Sequence, residues 1–456
     1  MKKLFFASAL AVAFLVSCNK DNVMGPNSDM NAGLPSKPHA SIPVDAQGII
    51  LKTFLSKDTV WKIDGVSFVQ PGQTLTIQEG THLIAGVTKP YPDEITHLTH
   101  DIKGVLVVPK TAKIMAVGTA AEPIVFTSDK AAGQRNPGDF GGIVILGNST
   151  TNQEPTVRIE GIPKPVDVDV TYGGSIPGDN SGTLKYVRIE FAGYNLTEDN
   201  EINGLTLGGV GSGTTLENIQ VSWGKDDAFE FFGGTVNAKY LIALSTDDDD
   251  FDFDHGYTGT IQYALSLKDP NSTNSVSKGV SDSNGLESDN NGTSAEIEPY
   301  TRPNLSNFTF IGQTDATAGN KLKYGNLWRR KSSLNITNSI IAGYKTGAAF
   351  ENIGPNANFS NNVVHAYSAA YINTVPGTGN QEGVGATAAL AADYLKLEGI
   401  SNIFYVSGNT FDPFDLVPTS TSPAYGDGST TYKGAFNPSL GADWATGWTQ
   451  WDVKNY

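Results

Sequence analysis

Phenylalanine and acidic residues alternate in the stretch from Asp226 to Gly256, and the alternating pattern occurs twice. Because successive side chains of a β-strand point to opposite faces, the pattern predicts strands with phenylalanines inward and carboxylates outward. A self-match at this period is typical of a solenoid in which each repeat is one coil. At a shift of 22 residues the following pairs coincide: Asp226 with Asp248, Asp227 with Asp249, Phe229 with Phe251, Glu230 with Asp252, and Phe231 with Phe253.

Two columns of short β-branched runs continue this period along the chain, with turns between them. The first column begins at Leu184, Leu216, Ala238, Ile261, Leu305, Ile336 and Phe359. The second begins at Gly204, Ala228, Asp250, Gly285, Gly325 and Gly347. The pattern predicts an all-β fold, a right-handed parallel β-helix solenoid over residues 48–380, with coils of 22–24 residues and inserted loops. Four asparagines share one position of the first column and predict a turn ladder: Asn218, Asn307, Asn338 and Asn361.

Residues 381–456 are predicted to form a C-terminal capping region. Strong helix formers from Ala386 to Glu398 predict one short helix, which Gly399 would stop. Because a stack of coils has an open apolar end, we expect Trp444, Trp448 and Trp451 to cover it.

The opening strands resemble those of a known family. The segments that carry the likeness are Pro71 to Ile77, Ala112 to Thr119, Pro123 to Ser128 and Gly141 to Gly147, in that order. They are similar to the opening of Bacteroidota-type right-handed parallel β-helix surface lipoproteins of the pectin-lyase-like class, and the C-terminal tail resembles the closing motif of that family. The resemblance implies an architecture and a cellular location, but no particular activity.

The N-terminus predicts export and lipid anchoring. Lys2 and Lys3 precede an apolar run from Leu4 to Val16, so residues 1–17 read as a signal peptide. Cys18 follows as in a lipobox and is the predicted lipidation site; the alternative is a stray cysteine in a plain secretory signal. Residues 18–47 are predicted to be the anchor and a flexible tether. We therefore expect an outer-membrane lipoprotein exposed at the cell surface and attached to the membrane by its lipid, without a membrane-spanning segment.

The formal charge of −16 argues against a nucleic-acid partner, which would require a basic surface. It favours cations, and the stacked acids favour calcium, which binds six to eight oxygens in tolerant geometry. The predicted metal ligands are Asp226, Asp227, Asp248, Asp249, Asp250 and Asp252, with Glu287 expected to continue the stack beyond Glu230 and Asp252. The alternative is an acidic solvated face whose aspartates cap turns.

An enzymatic alternative is a polysaccharide lyase or glycoside hydrolase that acts on acidic glycans. The candidate residues Asp227, His255 and Arg329 have a passing likeness to polygalacturonase motifs, but Arg329 comes 74 residues after His255, several coils too late. A lyase would need a base such as Arg329 or Arg330 beside the acidic column. Fold alone does not decide the activity.

The sequence also contains two weaker patterns. His97 and His100 lie near acidic residues, but a loop that happens to hold two histidines explains them better than a transition-metal site. Three aromatic residues predict either a sugar-stacking platform or cover for the core: Trp223, Tyr324 and Trp328.

The combined interpretation is a lipid-anchored surface protein for binding or adhesion, with a calcium-holding acidic flank and a polysaccharide or surface-protein partner. The alternatives are the glycan-cleaving enzyme and an accessory subunit of an outer-membrane assembly.

Overall fold

The structure, a computed structural model, describes residues 33–153, 156–164, 166–197, 200–277, 280–281, 283–314, 322–399, 403–408 and 411–456. The first strands in chain order are β1 (His39–Ser41), β2 (Phe54–Leu55), β3 (Val60–Ile63), β4 (Val66–Phe68), β5 (Thr74–Ile77), β6 (His82–Ala85), β7 (Lys89–Pro92), β8 (Thr99–Ile102), β9 (Val105–Val108), β10 (Lys113–Val117), β11 (Ile124–Thr127) and β12 (Gly142–Leu146).

The next strands are β13 (Val157–Arg158), β14 (Thr171–Tyr172), β15 (Gly182–Glu190), β16 (Tyr194–Thr197), β17 (Asn200–Ile202), β18 (Leu205–Gly208), β19 (Thr215–Ser222), β20 (Phe229–Phe232), β21 (Asn237–Leu244), β22 (Phe251–Asp254) and β23 (Thr260–Leu267). They are followed by β24 (Val276–Ser277), β25 (Val280–Ser281), β26 (Glu287–Ser288), β27 (Asn304–Ile311), β28 (Tyr324–Trp328), β29 (Asn335–Thr337), β30 (Ile340–Phe350), β31 (Asn358–Ser360), β32 (Val363–Ile372) and β33 (Gln381–Val384). The helix α1 (Ala388–Leu395) and 3₁₀ helices at Pro413–Leu416 and Asp443–Ala445 complete the described elements.

Of the described strands, 25 stack in parallel as a right-handed β-helix with three faces, which confirms the predicted fold class, and the others form four antiparallel pairs in the insertions. The first face contains β2, β5 and β10, then the first halves of β15, β19, β21, β23 and β27. The second face contains β1, β3, β6 and β11, then the second halves of the same long strands. The third face contains β4, β9, β12, β18, β20, β22, β26 and β28.

From β15 onward, the corner between the first and second faces is formed by one left-handed residue in each of seven coils. These residues have φ between 51° and 63° and are Tyr186, Asn218, Tyr240, Tyr263, Asn307, Asn338 and Asn361. Asparagine tolerates this conformation better than most residues because its short polar side chain can hydrogen-bond locally. The predicted asparagine position is therefore confirmed as a turn, and three of the coils use tyrosine there.

The interior is filled by aromatic side chains stacked from coil to coil. Phe229 lies above Phe251 with ring centroids 5.2 Å apart and an angle of 7° between the rings. Phe231 lies above Phe253 at 5.1 Å. All four are fully buried, as the alternation predicted.

The C-terminal segment lies along the side of the solenoid, not at the end where the predicted cap would sit. It covers the outward side of the second face, which is apolar at Ile242, Leu244, Leu265 and Leu267. Hydrogen bonds fix it over many coils: Gly434 N donates to Asn338 O, Gln450 N to Gln220 Oε1, and Gly133 N to Lys454 O. The physical reason is that a face with apolar residues on both sides must be covered along its whole length.

The ends of the predicted segments also differ from the structure. The predicted tether reaches too far, because β1 pairs with β3 and Ile42 is buried. Helix α1 begins after the N-cap Thr387 and ends at Lys396, whose φ of 50° is left-handed, so Lys396 stops the helix and not Gly399. The predicted signal peptide and Cys18 lie outside the described residues. Among the described helices, none has the length and hydropathy needed to cross a membrane.

Replacing Phe251 by alanine should lower the free energy of unfolding by about 3–5 kcal/mol, because the cavity would remove contacts with Phe229, Phe308 and Phe310. Urea denaturation measures the loss. Phe54, whose side chain is half exposed, gives the matched control, and Phe54→Ala should cost less than about 1 kcal/mol. Equal losses in the two variants would contradict the stacked aromatic core.

Candidate cation site on the third face

An acidic groove of about 910 Å³ lies over the third face, where β20, β22 and β26 follow one another. Its basic lining residues are Lys225, Arg329 and Arg330. Its twelve lining carboxylates are Glu160, Glu201, Asp226, Asp227, Glu230, Asp247, Asp248, Asp249, Asp252, Asp254, Glu287 and Asp289. Acidic side chains therefore outnumber the lysine and arginine side chains fourfold in the lining of this groove.

The floor of the groove is a column of outward carboxylates. The strand register pairs Glu230 with Asp252 and Asp252 with Glu287, as the sequence predicted. Neighbouring parallel strands lie roughly 4.8 Å apart, so the carboxyl groups of these side chains are held close together. Like charges at this spacing repel, and the repulsion must be relieved by protons or by cations.

The walls of the groove come from segments inserted between coils. The hairpin of β16 and β17 contributes Asn195 and Glu201, and the insertion after β23 contributes Asn274 and Ser275. Glu160 comes from the segment between β13 and β14. The walls make the acidic column the bottom of a groove and not a flat solvated face.

A ladder of side-chain hydrogen bonds holds the residues that precede the third-face strands. Asn203 Oδ1 accepts from the Asp227 N–H at 3.2 Å, and Asp227 Oδ1 accepts from the Asp249 N–H at 2.8 Å. Asp249 Oδ1 then accepts from the Asn284 N–H at 2.5 Å. Asp227 and Asp249 therefore each use one oxygen to join coils, which is the turn-capping role considered as the alternative.

Three groups of carboxylates have ligand atoms within 4.8 Å of one another. We call them the first triad (Asp226, Asp227, Asp248), the second triad (Asp227, Glu230, Asp252) and the third triad (Asp249, Asp252, Glu287). Five of the six aspartates predicted as ligands belong to these triads. Oxygen atoms in this density are the donors that a hard divalent cation prefers.

Burial and mutual repulsion change the protonation of the groove. Burial, followed by the charge of Asp248, raises the pKa of Asp226 and that of Asp227 well above the usual range. Burial also raises the pKa of Glu230, with Glu160 and Asp252 adding to the effect. These carboxyls therefore hold protons more tightly than exposed acids do, unless a cation takes the place of the protons.

Asp250 is not part of the cation site, contrary to the prediction. Its side chain is fully buried and pairs with Lys268, with Asp250 Oδ1 3.1 Å from Lys268 Nζ. The strict alternation of faces holds only inside β22, and Asp250 lies in the bend before that strand. The bend turns its carboxylate inward, toward Ser266 and Thr246.

The three residues proposed for catalysis all line the groove, but they differ in their freedom to act. Both ring nitrogens of His255 are engaged: Nδ1 is 2.8 Å from the Tyr172 hydroxyl and Nε2 is 3.4 Å from Asp254 Oδ2. Burial lowers the pKa of His255 to about 4. The imidazole is therefore neutral near pH 7, and its Nδ1 is occupied by the Tyr172 hydroxyl.

Arg329 does lie beside the acidic column, as a lyase would require. Its Nε is 3.1 Å from Asp289 Oδ1, and its guanidinium also contacts Glu287. Arg330 contacts Asp289 at 2.6 Å. The strand register brings these arginines next to acids about 40 residues earlier, although their spacing in the sequence does not match the polygalacturonase pattern.

The two weaker patterns do not lead to sites. Trp223, Tyr324 and Trp328 are at most 5% exposed, so the sugar-stacking platform is wrong and these rings are core residues. His100 is buried and hydrogen-bonds to Thr96, and the carboxylate and histidine groups suited to a metal among the described residues do not include it or His97.

Several groove acids were not among the predicted ligands, including Asp247, Asp289, Glu160 and Glu201. Asp289 could have been found, because extending the register places it under Asp254, two residues after Glu287. Glu160 and Glu201 come from irregular insertions that carry no period, so their position depends on the tertiary fold.

A family model described as the pectate-lyase-like β-helix domain matches residues 48–449. The match covers most of the chain, and the chain therefore belongs to this family. This supports the pectin-lyase-like part of the resemblance, whereas the surface-lipoprotein part stays a prediction. No curated protein and no solved structure matches the chain.

The buried carboxyl of Asp254 should make stability depend on pH. Burial and the charge of Asp289 raise its pKa to about 7, against about 3.9 for an unfolded aspartate. Between pH 3.9 and pH 7 the folded state binds a proton at Asp254 that the unfolded state does not bind. The contribution of this carboxyl to the free energy of unfolding is therefore full below about pH 4 and is lost as the pH rises to about 7. In metal-free buffer, Asp254→Asn should gain stability relative to the native chain by on the order of 1 kcal/mol per pH unit from pH 4 to 7.

Thermal and urea unfolding at several pH values test this difference. The exposed residue Asp58 gives the control, because Asp58→Asn removes the same negative charge outside the groove. A difference between Asp254→Asn and the native chain that does not change with pH would show that this carboxyl is ionised throughout the range.

Proposed function

We propose that this member of the pectate-lyase-like β-helix domain family is a binding protein of the cell surface that holds calcium in its acidic groove. The observation that carries the proposal is the first triad. It combines three carboxylates within 4.8 Å of one another with an opening into a groove of about 910 Å³. Calcium accepts carboxylates in variable geometry, which suits a site made by stacking coils.

Asp226 supplies a second observation that points to a ligand. It is 6% exposed, lines the groove, and its buried Oδ2 has no hydrogen-bond partner among the described residues. A buried carboxylate oxygen without a partner costs free energy, because the water that solvated it has been removed. A bound cation would supply the missing partner and would relieve the repulsion from Asp227 and Asp248.

The first triad is favoured over the third because of the basic residues. Glu287 of the third triad already pairs with Arg329. Among the ion pairs of the described residues, none involves Asp226 or Asp227. The attraction for an external cation is therefore strongest at the first triad, where Asp226 and Asp227 are not neutralised by Arg329.

An acidic polysaccharide is the ligand that best suits a groove with a bound calcium ion and basic side chains. A calcium ion held by the first triad would keep positions free for the carboxylates of a ligand, since it takes six to eight oxygens. Arg330 and Lys225 line the same groove and can contact anionic groups directly. Binding at the cell surface would then depend on calcium.

The enzymatic alternative is favoured by one specific observation, the position of Arg329 in the groove. An arginine near a calcium-bound uronate could remove a proton during elimination, but here Arg329 is held by Glu287 and Asp289. This pairing favours binding without cleavage. Polygalacturonate or alginate incubated with the protein and calcium would decide: unsaturated product ends that are abolished by Arg329→Ala would establish a lyase.

Calcium binding is predicted to depend on Asp226. Isothermal titration should show calcium binding to the native chain and at least about 10-fold weaker binding to Asp226→Asn, equivalent to about 1.4 kcal/mol or more. Chelator should lower the melting temperature of the native chain, because a ligand that binds only the folded state stabilises it.

Asp58→Asn is the charge-matched control, since Asp58 is exposed and does not line the groove. Its calcium affinity should equal that of the native chain. If chelator changes neither the melting temperature nor the bound metal of the native protein, the cation site does not exist.

Lipid anchoring at Cys18 is the remaining part of the proposal, and it is supported by the N-terminal sequence alone. The full chain, produced in a bacterium with lipoprotein-processing enzymes, should fractionate with membranes and carry a lipid on Cys18 by mass spectrometry. Cys18→Ser should move it to the soluble fraction. Membrane association that survives this substitution would disprove the anchor.

A further inference from the structure

Lys268 is a buried cation in the interior of the solenoid, directly behind the groove. It follows β23, and neither its side chain nor that of Asp250 is exposed to solvent. Lys268 Nζ lies 3.1 Å from Asp250 Oδ1. The calcium site proposed above does not use this ion pair.

The ammonium group sits in a cage of oxygen atoms. Besides Asp250, it donates to the carbonyl oxygen of Thr246 at 3.0 Å, the carbonyl oxygen of Asp248 at 2.7 Å and the hydroxyl of Ser283 at 3.3 Å. The Ser283 hydroxyl in turn donates to the same carbonyl of Asp248 at 3.0 Å. Carbonyl, hydroxyl and carboxylate oxygens are the ligands that a metal ion would use, so the ammonium serves as a covalently attached cation.

Asp250 occupies a position that small residues fill in the neighbouring coils. Extending the strand register, Asp250 corresponds to Gly204, Ala228 and Gly285 in neighbouring coils. A buried ion pair contributes little net stability compared with well-packed apolar residues. The ion pair is better explained by the loop that it holds in place.

The pair holds both ends of the acidic loop formed by residues 247–249. Lys268 binds the carbonyl before the loop and a carbonyl within it, and Asp250 follows the loop and is anchored by Thr246 Oγ1 at 2.7 Å. Because the backbone of the loop is fixed from the inside, the side chains of Asp248 and Asp249 are directed to the groove, which both of them line.

We propose that Lys268 is a positioning residue for calcium binding, whose internal ammonium group replaces a second metal ion behind the loop and presets Asp248 and Asp249. The proposal rests on the proposed calcium site. Lys268 supplies the positive charge on the interior side of the loop, and calcium supplies the positive charge on the groove side.

The test is the double variant Lys268→Met/Asp250→Asn, which removes one positive and one negative charge together. Since the net charge is unchanged, any loss of calcium affinity reports the geometry of the loop. We expect calcium affinity by isothermal titration to fall at least 10-fold. Ile341→Val, a core change in β30 away from the groove, is the control for general destabilisation, and its calcium affinity should be unchanged even though its melting temperature falls.

The outcomes separate the two proposals. If the native chain binds no calcium, the proposed function fails and the role of Lys268 fails with it. If the native chain binds calcium and the double variant binds it within twofold, the role of Lys268 is disproved while the site remains. Should the double variant not fold, Ser283→Ala removes one contact of both the ammonium and the Asp248 carbonyl; a two- to threefold loss of affinity would support the proposal, and no loss would overturn it.

Discussion

The hydrogen-bonded stacking of parallel coils is the constraint on which the rest of this structure depends. Each coil lies roughly 4.8 Å from the next, and the register makes equivalent positions direct neighbours. Inside the solenoid this spacing suits flat rings, and Phe229 and Phe251 stack almost parallel. Outside it brings Glu230, Asp252 and Glu287 together, where the same spacing is unfavourable. One geometric rule thus produces both the core and the charged groove.

The protein offsets the crowded negative charge in different ways along the groove. Arg329 neutralises Glu287 at one end. Lys268 lies behind the loop that carries Asp248, and backbone N–H groups donate to Asp227 and Asp249 along the ladder. Asp226 has none of these partners among the described residues, and its pKa is raised by burial and by Asp248. Internal compensation therefore does not reach Asp226, where the proposed calcium ion would supply it.

The groove is also defined by the segments that cover the remaining surface. The second face is apolar outside and is covered by the C-terminal segment. The early coils of the third face are likewise apolar, at Val66, Val105 and Val144, and are covered by the insertion that ends at Tyr172. Farther along, Leu327 and Ala349 form another apolar patch. The acidic column lies between these apolar stretches, and the described parts of the insertions form the walls of its groove.

The sequence by itself determined the coil period, the two strand columns and the alternation of side chains between the two faces of a strand. The 22-residue match placed Glu230 above Asp252 and identified Phe229 and Phe251 as core, because alternation and stacking are local consequences of β-structure. It also identified all five aspartates of the triads. These features need no knowledge of loops or of distant segments.

Only the tertiary structure decided what happens where regular strands end. Asp250 turns inward to Lys268 because alternation stops at the bend, and Glu160 reaches the groove through an insertion without a period. Arg329 joins Glu287 and Asp289 because β26 and β28 are neighbours in the stack, although a long insertion separates them in the sequence. The tail covers a flank and not an end, since the whole outer surface of the second face must be buried. Local periodicity determines which residues of successive strands lie next to each other. The positions of residues in bends, insertions and the tail depend on loop paths and long-range packing.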